Sequence, residues 1–172
     1  LIRPLALAAA LLAPLPAAAE GESSGVFDFY LRGIRAASLS FAGAENGNGY
    51  AASGRLQSSG ILALVRKMHY EAKSAGTVRN GRLTPSRYEE DADTGKRQSQ
   101  SVMEYRGGVP QVRKYSPPRD PNPRDVKAET QGGTIDPMAA IYIGLRDVAR
   151  DKACNFDSYM FARANPKGVH FE

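Results

Sequence analysis

His69 and Glu71 stand two residues apart in the stretch HYEAKSAG. In an extended chain they share one face, so an imidazole would sit beside a carboxylate, an arrangement able to pass a proton. The same spacing equally makes a pair of surface charges. Glu89, Glu90, Asp91 and Asp93 form the densest acidic cluster. Clustered oxygens suit a hard cation such as calcium. However, Thr94 stands where a calcium loop needs a richer oxygen ligand, and no glutamate follows at the twelfth position. Thr94-Gly95 reads more simply as a turn. Tyr30, Tyr50, Tyr70, Tyr88 and Tyr105 place one tyrosine on nearly every predicted strand. Rings with hydroxyl handles can line an apolar ligand cavity, and these five are the ligand-binding candidates. They serve equally well as core or edge residues. Cys154 is the single cysteine, so no internal disulfide can form, and a small apolar role suits it best. His69 and His170 lie far apart in sequence. No serine elbow and no glycine-rich phosphate loop occurs. The sequence therefore predicts no catalytic residue, no metal site and no cofactor.

The elements that would position these residues are mostly strands. VFDFYL alternates, with Val26, Asp28 and Tyr30 on one face and Phe27, Phe29 and Leu31 on the other. Gly33 permits a bend, after which IRAASLSFAG continues extended. The Asn/Gly-rich AENGNG is a turn, and YAASGRLQSS is its returning partner. Ile61, Leu62, Val65 and Met68 fit a short helix with Ser58 or Ser59 as its N-cap. Further strands end at Asn80-Gly81, Thr94-Gly95 and Gly107-Gly108, and VPQVRKYS follows. Such regular turn spacing predicts an antiparallel meander. Residues 116–125 hold four prolines and predict an extended loop. Asp136-Pro137 is a helix start. The helix should run to about Arg150 and bury Met138, Ile141, Leu145 and Val148. CNFDSYMF alternates as a returning strand. ARANPKGVHFE loses the alternation and predicts a tail not integrated into the core.

The N-terminal stretch bears on location. Arg3, an apolar run from Leu5 to Leu15, and Ala17-Ala18-Ala19 before Glu20 describe a secretory signal cleaved after Ala19. The run is too short for a membrane-spanning helix. The expected organisation is a signal over residues 1–19, a flexible leader over 20–25, one β-rich domain over 26–161 and an atypical tail over 162–172. The formal net charge of the 172-residue chain is +5, with both signs interleaved. That pattern lacks the basic stripe of a nucleic-acid binder, and nucleic acid is not an expected partner. A mildly basic surface still attracts anionic lipid headgroups at long range.

FDFYLRGIRAASLSFAG, LTPSRYEEDADTGKRQSQSVMEY, TIDPMAAIYIGLRD and CNFDSYMF together resemble an exported Gram-negative family of domains of unknown function. Its marks here are the G-I-x-A step at Gly33–Ala36, the D-x-x-T-G hairpin at Asp91–Gly95 and the D-P-M-A-A helix start at Asp136. The resemblance implies a shape and supplies no catalytic residues. A looser likeness to lipoprotein carriers implies a curved antiparallel sheet wrapped around helices. The family pattern continues beyond FDSYMF with D-G, a basic residue and more strands, whereas this chain reads ARANPKGVHFE, which predicts an incomplete sheet.

The expected fold is mainly β, within the α+β class: a half-barrel-like meander with a short helix and a longer C-terminal one. The expected function is that of an exported periplasmic protein holding a lipid or other hydrophobic or amphipathic ligand in the concavity of the sheet. The alternatives are a cell-envelope interaction module, meeting an envelope protein through a sheet edge or the proline loop, and an enzyme of unrecognised type.

Overall fold

Three of the tight turns are set by pairs of residues with positive φ: Arg32-Gly33 (52°, 78°), Asn80-Gly81 (51°, 77°) and Gly107-Gly108 (57°, 77°). Two such residues in succession match the twist of antiparallel strands and close a two-residue hairpin. In the computed structural model, which describes residues 21–118, 120, 123, 125–148, 156–162 and 165–171, these hairpins organise a seven-stranded sheet. Its strands are β1 (Ser23–Leu31), β2 (Ile34–Asn46), β3 (Gly49–Ser58), β4 (His69–Arg79), β5 (Arg82–Asp93), β6 (Gln98–Arg106) and β7 (Val109–Ser116). They pair in sequence order, so the sheet is an open antiparallel meander with β1 and β7 at its edges. The predicted fold class is the observed one. Helix α1 (Gly60–Val65) connects β3 to β4, and α2 (Pro137–Val148) packs on one face of the sheet. Strands β8 (Phe156–Ala162) and β9 (Asn165–Phe171) make a separate two-stranded sheet, tied to the chain before α2 by a bridge between Ile135 and Met160.

Four local expectations change. Gly33 is half of a hairpin turn rather than a bend within one extended segment, because Arg32 also takes a left-handed conformation. The leader is shorter than residues 20–25, since Ser23, Ser24 and Gly25 already pair with β2. Residues 162–172 contain β9, paired with β8 from Ala162↔Asn165 to Phe156↔Phe171. Neither serine side chain caps α1. The Ser58 Oγ instead accepts the Met68 N–H at 2.9 Å. Residues 1–19 and Cys154 lie outside the described residues.

The core forms where the period-two pattern of the strands meets α2. Tyr50, Ala52, Ala72, Tyr88, Met103 and Tyr105 point from the sheet toward Met138, Ala139, Tyr142 and Ile143, with Ile135 and Phe161 completing the cluster. The buried helix face therefore differs from the predicted one. Met138 is buried, but Ile141 is 37% exposed, Leu145 is half-buried, and the side chain of Val148 is outside the described residues. PMAAIYIGL is apolar nearly all round, so spacing alone does not select its face. The choice falls on the side where Ala139 and Ala140 let the helix approach closely and Tyr142 stacks on Tyr50, with ring centroids 6.3 Å apart.

Gly43 makes that approach possible. A Cβ at this position would run into the Tyr142 ring. Gly43→Ala is expected to lower unfolding free energy by about 1–3 kcal/mol, as overpacking a filled core does. Gly54→Ala should cost less, since its Cβ would meet the flexible Met138 Sδ at 3.0 Å. Urea denaturation of both variants tests the ranking, and equal stability would remove Gly43 as the point of closest approach.

Candidate functional site

The sheet has two chemically distinct faces. On the helix face, strand alternation and register place Ser74 opposite Ala52 and Tyr88, beneath the start of α2. Asp136 precedes the helix, and its Oδ1 accepts the Ala139 N–H at 2.8 Å. This is an N-cap bond, and it satisfies one of the orphan donors of the first turn. Its Oδ2 accepts the Ser74 hydroxyl at 2.7 Å, and the Tyr50 hydroxyl lies 2.9 Å from Ser74 Oγ. A continuous chain of polar groups thus links β3, β4 and α2 inside the core. Burial raises the Asp136 carboxyl to about 6, against the lowering effect of the Ser74 and backbone hydrogen bonds. Burial dominates because it penalises the charged form directly.

A second polar cluster lies alongside. The Tyr88 hydroxyl donates to Glu90 Oε2 at 2.7 Å, the Tyr70 hydroxyl does so at 3.2 Å, and the two hydroxyls are 3.0 Å apart. Burial pushes Tyr70 up to about 12 and raises Tyr50, Tyr88 and Tyr105 as well. These phenols remain protonated at neutral pH, and Tyr70 and Tyr88 donate to Glu90. A third group joins β2 to the far end of α2. Arg146 Nη1 lies 2.6 Å from Glu45 Oε1, and the guanidinium carbon lies 5.8 Å from the Tyr142 ring centre.

Of the five tyrosines proposed to line a cavity, the structure brings Tyr50, Tyr70, Tyr88 and Tyr105 together on the helix face. Three of them are core residues, with Tyr70 packed against the core, and the space before them is occupied by α2. Tyr30 lies apart, exposed on the edge strand β1. Sequence reading treated Asp136 only as a helix start and Arg146 only as a cation suited to the last turn of α2, and passed over Ser74 and Glu45. Ser74 carried a signal, because alternation from Tyr70 and Ala72 puts it on the same face. Glu45 and Arg146 carried none.

The opposite face is open. Its charges form a lattice within and across strands: Arg55 Nη2 to Glu71 Oε2 at 2.6 Å and Arg113 Nε to Glu104 Oε2 at 2.8 Å between neighbouring strands, and Arg87 Nε to Glu89 Oε1 at 2.7 Å along β5. His69 Nε2 lies 3.8 Å from Glu71, too far for a hydrogen bond. The Arg55 bond holds the Glu71 carboxyl below its ordinary range, with Lys73 and His69 adding to it. A carboxylate so stabilised is a poor proton acceptor, and the pair belongs to the surface lattice. The acidic cluster divides between faces: Glu90 belongs to the tyrosine network, while Glu89 and Asp91 bond to groups on neighbouring open-face side chains. Asp93 orders the turn after β5, where its carboxylate accepts the Gly95 N–H at 2.7 Å and the Gln98 amide at 3.0 Å. The Gly95 bond is the main cause of its lowered pKa. Among the described residues, no three His, Cys, Asp or Glu side chains converge as a metal site.

Between the charges of the open face runs a groove of about 580 Å³. Ala42, Ala44, Ala51 and Ala75 give it a smooth apolar floor, and Glu22, Lys73, Arg87 and Glu89 stand at its rim. It exists because small residues fall in register on three adjacent strands, with Ala44 opposite Ala51 and Ala51 opposite Ala75. Its volume lies in the range of small-molecule sites, which pair apolar linings with a few polar groups.

No curated protein and no solved structure matches the chain. One family model does, over residues 26–171, a span that takes in all of the sheet strands from Val26 onward, both helices and the β8–β9 hairpin. The chain belongs to the family described as Protein of unknown function (DUF3108).

Proposed function

We propose that the protein is an exported periplasmic binding protein for an amphipathic, acyl-bearing ligand. The observation that carries this reading is the open-face groove, with its alanine floor and charged rim. An acyl chain lies along Ala42, Ala44, Ala51 and Ala75, and a polar headgroup meets Lys73 and Arg87. The apolar part of such a ligand gains roughly 25 cal/mol for each Å² it removes from water. The binding face is thus opposite the tyrosine-bearing one, which α2 fills. Export is supported by Arg3, the Leu5–Leu15 run and the alanine exit before Glu20.

One preparation tests both parts. The full chain is expressed in a Gram-negative host and recovered from the periplasm, and its N-terminus and organic extract are read by mass spectrometry. The expected results are a terminus at Glu20 and a co-purifying acyl lipid. Ala51→Phe places a ring in the groove at an exposed position and should abolish the lipid while leaving the fold intact. A protein free of lipid, or lipid retained equally by the Ala51→Phe variant, would exclude the groove as its site.

A further inference from the structure

Helix α1, GILALV, is apolar throughout, yet none of its residues is buried. Ile61, Leu64 and Val65 are 63%, 87% and 81% exposed. Large apolar side chains exposed next to one another on a single turn and a half of helix form a patch of the kind that marks an interaction site. The chain leaving α1 supplies the chemistry of that site. A cleft of about 630 Å³ lies directly against Val65, and Arg66, Lys67, Lys96 and Arg97 line it. All four cations are exposed. The single acid of the cleft is Asp93, whose oxygens are taken by the turn at Gly95 and by Gln98.

The placement follows from the fold. In an antiparallel meander, the β1–β2 turn, the β3–β4 connection that carries α1, and the β5–β6 turn all project from the same end of the sheet. The β5–β6 turn sits on the exit of α1: a Cβ on Gly95 would lie 2.9 Å from Arg66 Cγ and 3.1 Å from the Lys67 carbonyl oxygen. Cations distant in sequence are thereby gathered beside the exposed turn of helix. Leu31 and Ile34, at the β1–β2 turn, are exposed at the same end.

We propose that this end of the sheet docks on an anionic membrane surface. Ile61, Leu64 and Val65 enter the boundary between headgroups and acyl chains. Arg66, Lys67, Lys96 and Arg97 meet anionic headgroups around them. Apolar insertion combined with adjacent positive charge is the general pattern of interfacial binding, and each basic residue near an anionic surface adds attraction that salt screens. No described helix is long and apolar enough to cross a membrane, so the contact is with the surface. The docking end does not overlap the alanine groove and does not depend on it.

Vesicle co-sedimentation of the full chain tests the proposal. Binding is expected to mixed phosphatidylethanolamine–phosphatidylglycerol vesicles, to weaken as salt is raised, and to be far lower on phosphatidylcholine vesicles. The double variant Arg66→Glu/Lys67→Glu should lose about tenfold or more in partitioning to anionic vesicles. Leu64→Asp should lose about tenfold through its apolar contact. Both sites are exposed, so the fold is retained. Two controls should bind as the parent does: Arg106→Glu, at the β6–β7 turn on the opposite end, and Ala51→Phe in the groove. Comparing variants within one chain cancels any contribution from residues 1–19. Absence of vesicle binding, an equal loss in Arg106→Glu, or a preference for polyglutamate over anionic vesicles would each overturn the proposal.

Discussion

Replacing Arg146 with alanine is expected to cost about 3–5 kcal/mol of folding stability, the range for breaking a buried ion pair from one side. The Arg146 side chain is 4% exposed and Glu45 is 16% exposed, and they meet at 2.6 Å. Removing the guanidinium leaves the Glu45 carboxylate enclosed beside Tyr142 without its main counter-charge. It also removes the planar cation lying over the Tyr142 ring. Urea denaturation monitored by circular dichroism measures the loss. The paired substitution Glu45→Met/Arg146→Met should recover most of it, because two apolar side chains of similar length need no counter-charge. A single variant within about 0.5 kcal/mol of the parent would mean that the pair is solvated.

Asp136 should make the protein more stable in mild acid than at neutrality, contrary to the usual behaviour of a paired carboxylate. Its folded-state pKa is about 6, against 3.8 for the unconstrained group. Between these values the folded chain holds a proton that the unfolded chain has released. Stability from this group is therefore fully present below pH 3.8, falls as pH rises toward 6, and is constant above. The span of about two units corresponds to a loss of about 3 kcal/mol across that window. Asp136→Asn keeps an oxygen for the Ala139 N–H and cannot ionise, so its stability should lack this fall over the same range. Glu71 and Asp93 have depressed pKa values, so each loses stability as pH falls from its ordinary value, 4.5 and 3.8 respectively, and these losses touch only the acid end of the window. Denaturation series from about pH 4 to about pH 7 on both proteins decide the matter. Parallel profiles would show that Asp136 does not carry the effect.

The sheet was legible because its information is local. Asn80-Gly81, Gly107-Gly108 and Thr94-Gly95 mark reversals by backbone chemistry, and Asp136-Pro137 marks a helix start with the same directness. Arg32 hid a hairpin because a left-handed arginine leaves no sign in sequence. The buried face of α2 was not legible, since an almost uniformly apolar helix takes its orientation from its neighbour, here Gly43 and Tyr50. The five tyrosines were read as one set, of which four share the helix face while Tyr30 lies on the edge strand. Their surroundings depended on where α2 lands, which local pattern does not fix. The alanine groove was hidden for a related reason. Ala44, Ala51 and Ala75 are unremarkable singly and acquire meaning only through register. Arg66 and Lys67 were visible as charges, but their proximity to Lys96 and Arg97 is a product of topology.

The bonds that seat α2 join residues distant along the chain: Ser74 with Asp136, separated by 62 positions, and Arg146 with Glu45, separated by 101. Each meander hairpin, by contrast, closes between neighbours. Short-range pairing forms fast, whereas long loops close late because their ordering entropy comes first. During synthesis from the N-terminus the seven-stranded meander therefore emerges with its tyrosine face bare, awaiting a helix encoded near the other end of the chain. A chain in which that helix has not yet docked thus bares an apolar face of the kind that favours association.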